Sequence, residues 1–153
     1  MIIGITGPIC AGKGKAAEHF RKKGFVHHSF SMEIREVAKE RKIEINRKNL
    51  TKLGTSLRKE SPGKSILGQR LLDKIRQDID RGASRWVVEG FRESDEVEMF
   101  RKHEFDNKKM RFVLIAVDAP QDVRWERMQK RGRHGEPETL TEFKKTDNAE
   151  MKG

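Results

Sequence analysis

The sequence predicts a three-layer α/β/α domain built on a parallel sheet, and three observations carry that prediction. Apolar runs of strand length stand at 1–6, 25–30, 85–89 and 112–117. Between them, apolar residues recur at helical spacing, so strands and helices alternate along the chain. Glycine turns follow strand ends, as at Gly7 and Gly90. Such alternation builds parallel strands joined by helical crossovers, and ligands of these sheets bind beyond the carboxyl ends of the strands.

Met1 to Thr6 reads as a short buried strand, and Gly7-Pro8-Ile9-Cys10-Ala11-Gly12-Lys13 follows it directly. That is the Gly-x-x-x-x-Gly-Lys of a phosphate-binding loop, in its required place between a strand and a helix. Glycines let successive N–H groups turn inward as a nest for phosphate oxygens. The next helix, about 13–23, adds its own orphan N–H groups and the positive end of its dipole. Lys13 adds a full charge on a flexible stem. Gly14 stands where a magnesium-binding Ser or Thr is usual, and Lys15 follows it. Two cations in a first helical turn oppose the macrodipole, a conflict that a polyphosphate in the loop resolves.

After the second strand, Ser31 is expected to cap a helix with Ile34, Val37 and Ala38 on its inner face. Asn46 is expected to cap another that carries Leu50, Leu53 and Leu57. Ser61-Pro62 signals a further helix start, with Leu67, Leu71, Leu72, Ile75 and Ile79 on one face and an end near Gly82. The third strand runs into Gly90-Phe91-Arg92, and Ser94 opens a short helix with Val97 and Phe100. The run from Phe112 to Val117 is continuous enough to be expected buried on both faces. Pro120 begins a helix reaching about Arg131, and a glycine- and charge-rich loop follows at 132–137. Thr139 and Glu142 have the spacing of a capping box for a last helix. The phosphate loop, Glu89 and Asp118 all fall at strand ends and are expected to face one cleft.

Composition narrows the classes. At 153 residues the chain suits a single domain, 1–153. No stretch reaches the ~18 apolar residues of a membrane span, and no signal-peptide core opens the chain. Cys10 is the sole cysteine, which allows no internal disulfide and suits a cytoplasmic location. Near a helix N-terminus, its thiol is expected to have a lowered pKa. The net charge of +10 favours anionic partners. With no tyrosine and no aromatic-interleaved basic motif, a nucleic-acid stacking platform is not expected. His27 and His28 are neighbours in a strand and point to opposite faces, and no Cys/His spacing suits zinc.

With these motifs in hand, the chain resembles the nucleoside monophosphate kinase superfamily over nearly its whole length. Its closest likeness is to the dephospho-CoA-kinase-like and deoxynucleotide monophosphate kinase-like proteins. Gly7 to Lys15 is similar to the family's phosphate loop. Ser31-Met32-Glu33-Ile34-Arg35 resembles a Gly-Asp-x-x-Arg segment, and Leu53-Gly54-Thr55-Ser56-Leu57-Arg58 a Leu-Gly-Thr-x-x-Arg stretch. Val87-Val88-Glu89-Gly90-Phe91-Arg92 resembles an apolar-apolar-Asp-Gly-x-(Pro)-Arg signature, and Arg127, Arg131 and Arg133 resemble the lid.

The resemblance implies a P-loop NTPase fold with a helical acceptor-binding insert at about 31–82 and a short lid at about 127–138. It implies ATP and magnesium as cofactors, with Gly7, Pro8, Ile9, Cys10, Ala11, Gly12, Lys13, Gly14 and Lys15 around the ATP phosphates. Lys13, Glu89, Arg127 and Arg131 become the catalytic residues, Glu89 also meeting magnesium through a water. Arg35, Arg58 and Arg92 become contacts of a small phosphorylated acceptor. The family's further C-terminal strand is missing from this sequence, so an exposed sheet edge open to self-association is expected.

The expected activity is ATP-dependent phosphoryl transfer to a nucleoside or deoxynucleoside monophosphate or a similar acceptor. That chemistry asks for positioning and charge neutralisation more than for a covalent nucleophile. Two alternatives stay open: dephospho-CoA kinase, which shares the fold and donor site, and a catalytically weak nucleotide-binding regulatory protein. The absent loop hydroxyl and Glu89 in place of Asp favour the second. A basic nucleic-acid-binding protein is the poorest reading.

Overall fold

The computed structural model describes residues 1–60, 65–105, 108–132 and 135–151. Strand β1 (Ile2–Thr6) leads through the phosphate loop into α1 (Lys13–Lys22) and β2 (Val26–Ser29). The helices α2 (Phe30–Glu40), α3 (Arg47–Lys59) and α4 (Ile66–Asp80) come next, then β3 (Trp86–Phe91) and α5 (Ser94–Lys102). A short antiparallel hairpin, β4 (Glu104–Phe105) and β5 (Lys108–Lys109), precedes β6 (Phe112–Ala116), α6 (Gln121–Arg131) and α7 (Leu140–Met151).

The main sheet has the order β2-β3-β1-β6, and all its pairs are parallel. Strand periodicity sends alternate residues to opposite faces. Ile2, Trp86 and Val88 pack on one side with Phe30, Leu67, Leu71, Leu72, Ile75 and Phe100 from the helices. Ile3, Ile5 and Val87 pack on the other with Ala17 and Phe25. A third small cluster of Ile9, Met128 and Phe143 joins the phosphate loop to α6 and α7. The register sets Ile5 beside both Glu89 and Ile115, so the loop, Glu89 and the segment after β6 lie at the carboxyl end of the sheet.

Local structure confirms some expected caps and moves others. Asn46 caps α3, its Oδ1 accepting the Asn49 N–H at 2.9 Å. Thr139 Oγ1 accepts the Glu142 N–H at 3.2 Å while Glu142 accepts the Thr139 N–H, the expected capping box. Ser29, not Ser31, caps α2, accepting the Ser31 N–H at 3.2 Å. The reason is that β2 runs straight into α2, leaving Ser29 as the junction residue with extended backbone. Ser61 and Pro62 lie outside the described residues. The helix they were expected to start begins after Ser65, whose Oγ accepts the Gly68 N–H at 3.0 Å.

The strand expected to be buried on both faces is half exposed, with Val113 at 37%. An apolar run shows that a strand is apolar but not where it lies in the sheet, and β6 is an edge strand. Among the described residues, no helix is long and apolar enough to cross a membrane.

Candidate nucleotide site

The loop starts where only glycine fits. At Gly7 (φ +137°) an added Cβ would lie 1.9 Å from the Val117 carbonyl oxygen, so the backbone turns directly against the segment after β6. Gly12, at φ +116°, caps α1. Cys10 also takes a left-handed backbone, at φ +59°. Thr6 Oγ1 donates to the Phe91 carbonyl at 2.8 Å and ties the ends of β1 and β3 together beneath the loop.

Cations hold the carbonyls of the loop one after another. Lys13 Nζ donates to the Gly7 and Pro8 oxygens, both at 2.7 Å. Arg124 Nη1 donates to the Ile9 oxygen at 3.4 Å, and Arg127 Nη1 to the Cys10 and Ala11 oxygens at 3.2 and 2.9 Å. In a trans peptide the N–H opposes the C=O, so turning these oxygens to cations also directs the N–H groups.

Glu89, near the end of β3, faces the same helix start. Its Oε2 lies 3.9 Å from the position a Cβ would take on Gly14. His27 Nε2 stands 3.4 Å from Glu89 Oε1 and is buried without a hydrogen-bond partner. His28, on the opposite face as expected, lies 2.6 Å from Asp78 Oδ2, which also accepts the Trp86 indole N–H.

Magnesium fits this donor set in one way. Among the described residues there is no group of three or more His, Cys, Asp or Glu side chains placed to hold a metal. A single carboxylate facing a phosphate loop suits a cation that takes most of its ligands from phosphates and water, as magnesium does.

The other expected residues divide into separate groups. Arg58 Nε donates to Glu96 Oε1 at 2.9 Å, and Glu96 is fully buried. Glu96 Oε2 in turn accepts the backbone N–H of Arg92 at 2.9 Å. Arg58 and Arg92 therefore meet through Glu96, whereas Arg35 lies exposed on α2. Arg131 pairs with Glu136 just past the end of α6, and Arg133 lies outside the described residues. Burial pushes the Cys10 thiol up, overriding Arg131 and Lys13 nearby, which reverses the lowered value expected from its place before a helix.

One residue of this site was not singled out in the sequence. Arg124, 6% exposed, is bound through both terminal nitrogens to Asp147 of α7, itself 2% exposed. Its Nε donates to the Ala119 carbonyl at 2.9 Å, and Gln121 Nε2 donates to Asp147 at the same distance. The hydrogen bonds from Arg124 hold the Asp147 carboxyl below its ordinary range, and those to Asp147 raise the Arg124 guanidinium.

A family model described as an AAA domain matches residues 3–149. The UPF0200 protein TK1334 of Thermococcus kodakarensis is 32% identical over 152 residues, which are 99% of this chain and 80% of that protein. The UPF0200 protein PH1008 of Pyrococcus horikoshii is 35% identical over 151 residues, 99% of this chain and 78% of that protein.

The chain belongs to the UPF0200 family and carries an AAA domain.

Among solved structures, TT1252 from Thermus thermophilus shares the fold with a TM-score of 0.51 at 20% identity, covering 97% of this chain and 79% of that one. This UPF0200 chain thus has the parallel α/β fold of P-loop NTPases.

Proposed function

We propose that the protein transfers the terminal phosphoryl group of ATP to a nucleoside or deoxynucleoside monophosphate, or to a similar small phosphorylated acceptor. The observation that carries this reading is the loop itself. Its carbonyls rest on Lys13, Arg124 and Arg127, and the Glu89 carboxylate faces the first turn of α1 across Gly14. A polyphosphate in that loop receives backbone N–H groups, the positive end of α1 and the Lys13 charge together.

In the transfer, an acceptor phosphate oxygen attacks the γ-phosphorus as the bond to the β–γ bridging oxygen breaks, and ADP leaves. In this reading Lys13 and Arg127 meet the negative charge that gathers in that step, and Arg131 joins them on leaving Glu136. Arg92 and Arg35 are the acceptor contacts in this reading. Arg58 acts one step back, through the buried Glu96 that holds the Arg92 backbone. Bound magnesium supplies neutralisation of the phosphate oxygens, with Glu89 the residue that would hold it through water.

A coupled phosphotransfer assay with ATP, magnesium and a panel of nucleoside and deoxynucleoside monophosphates plus dephospho-CoA tests this. Turnover of one acceptor, lost in Lys13→Ala and Arg92→Ala, is the expected result. Measurable ATP binding with no turnover on any acceptor overturns it and points to a regulatory nucleotide-binding protein.

A further inference from the structure

The buried pair behind the phosphate loop has no place in the transfer step, yet it touches the loop. Arg124 stands one helical turn before Arg127 on α6, and the two arginines together hold the carbonyls of Ile9, Cys10 and Ala11. The two are anchored differently. Arg127 is exposed, while Arg124 is buried and fixed from behind by Asp147 of α7, with Gln121 on the same carboxylate. The Ile9 side chain is packed on Met128 and Phe143, so α6 and α7 grip this residue by both side chain and carbonyl. Arg124 also holds the Ala119 carbonyl, just beyond β6 and the Val117 oxygen against which Gly7 is packed.

We propose that Arg124 and Asp147 are positioning residues for the phosphate loop: α7 fixes the Arg124 guanidinium, which holds the Ile9 carbonyl outward and so keeps the loop N–H groups set for an anion. The proposal rests on the reading of this loop as a nucleotide site. A buried ion pair by itself is weak evidence for stability, since apolar residues of similar volume often replace one without loss. What such residues cannot replace is the hydrogen bond to the Ile9 carbonyl.

That distinction gives the test. The double variant Arg124→Met/Asp147→Leu is compared with the wild-type chain in thermal melting and in calorimetric titration with tripolyphosphate and with ATP–magnesium, Lys13→Ala serving as the site control. The proposal expects melting close to wild type and binding weakened about tenfold, the order of one lost charge-assisted hydrogen bond. Unchanged binding in a double variant that melts like wild type overturns it. Should the double variant not fold, Asp147→Asn is examined by amide exchange. Faster exchange at residues 9–12 with β1 and α1 unchanged supports the proposal, and unchanged exchange in the loop overturns it. Absence of binding in the wild-type chain sinks the nucleotide-site reading instead, and the exchange comparison still decides the role of the pair.

Discussion

On the helical side of the molecule, Arg70 and Lys74 of α4 lie among Glu33, Glu36 and Glu40 of α2. Lys74 meets Glu36 at 2.6 Å, Arg70 meets Glu40 at 2.6 Å, and both reach the buried Glu33. Burial works against the Lys74 ammonium, yet the two carboxylates still raise it, and the Lys74 hydrogen bond lowers Glu36. On the loop side, Lys13 and Arg127 hold backbone carbonyls. A carboxylate cancels a cation's charge, whereas a carbonyl only orients it. The helical cations are thus spent on joining α2 to α4, whereas in the proposed reading Lys13 and Arg127 serve a polyphosphate. Cations can crowd two places in one chain, joining helix to helix in one and holding a loop backbone in the other.

Four changes break or sharpen that contrast. Arg58→Ala removes one partner of a buried pair and leaves Glu96 uncompensated, so it is expected to cost about 3–5 kcal/mol in urea unfolding. If stability stays level and only acceptor affinity falls, Arg58 belongs with the ligand cations instead. Lys13→Ala is expected to do the opposite, lowering phosphotransfer by roughly 10²–10³ with little change in melting temperature. A parallel fall in both would make Lys13 a structural clamp on the loop carbonyls.

The Arg124–Asp147 pair gives a pH signature. Arg124 holds the Asp147 carboxyl low in the folded chain, so its stabilisation is complete above the unfolded Asp value of about 4 and is lost as pH falls through the lower folded value. Acid titration with tryptophan fluorescence reads it through Trp125, which packs on Phe143 at 5.5 Å. In Asp147→Asn that part of the acid dependence is expected to vanish. The smallest effect belongs to Lys22→Ala, which removes an exposed i,i+4 pair with Glu18. It is expected to change stability by about 0.5 kcal/mol or less, and a larger loss would mean that α1 depends on surface charge.

Much of the architecture was legible because local rules decided it. The Gly7-to-Lys13 spacing after an apolar strand, the leucines of α4 and the Thr139–Glu142 box each specify structure within a few residues. What was not legible depends on distant partners. Three arginines, at 124, 127 and 131, look alike on one helix. Only Asp147, 23 residues on, separates the buried Arg124 from its neighbours. Glu33 and Glu36 are equally ordinary in sequence and both meet Arg70 and Lys74, yet Glu33 is buried and Glu36 is not. The apolar run of β6 was misread for the same reason, since strand order is a property of the whole sheet. Arg58 carried a family-like pattern, and its tie to Glu96, 38 residues on, became visible only in the folded chain.

The placement of β1 has a consequence for how the chain comes together in time. Ile2 is paired in the finished sheet with Trp86 on one side and Phe112 on the other. During synthesis at about 5–20 residues per second, this apolar strand waits roughly 5–20 s for its second neighbour. Both of its ladders close long loops, which slows folding relative to local pairing. The strand that carries the phosphate loop is thus the one most exposed to wrong partners on the ribosome. Lowering the synthesis temperature or supplying a holdase is expected to raise the soluble yield more than any change to the finished surface.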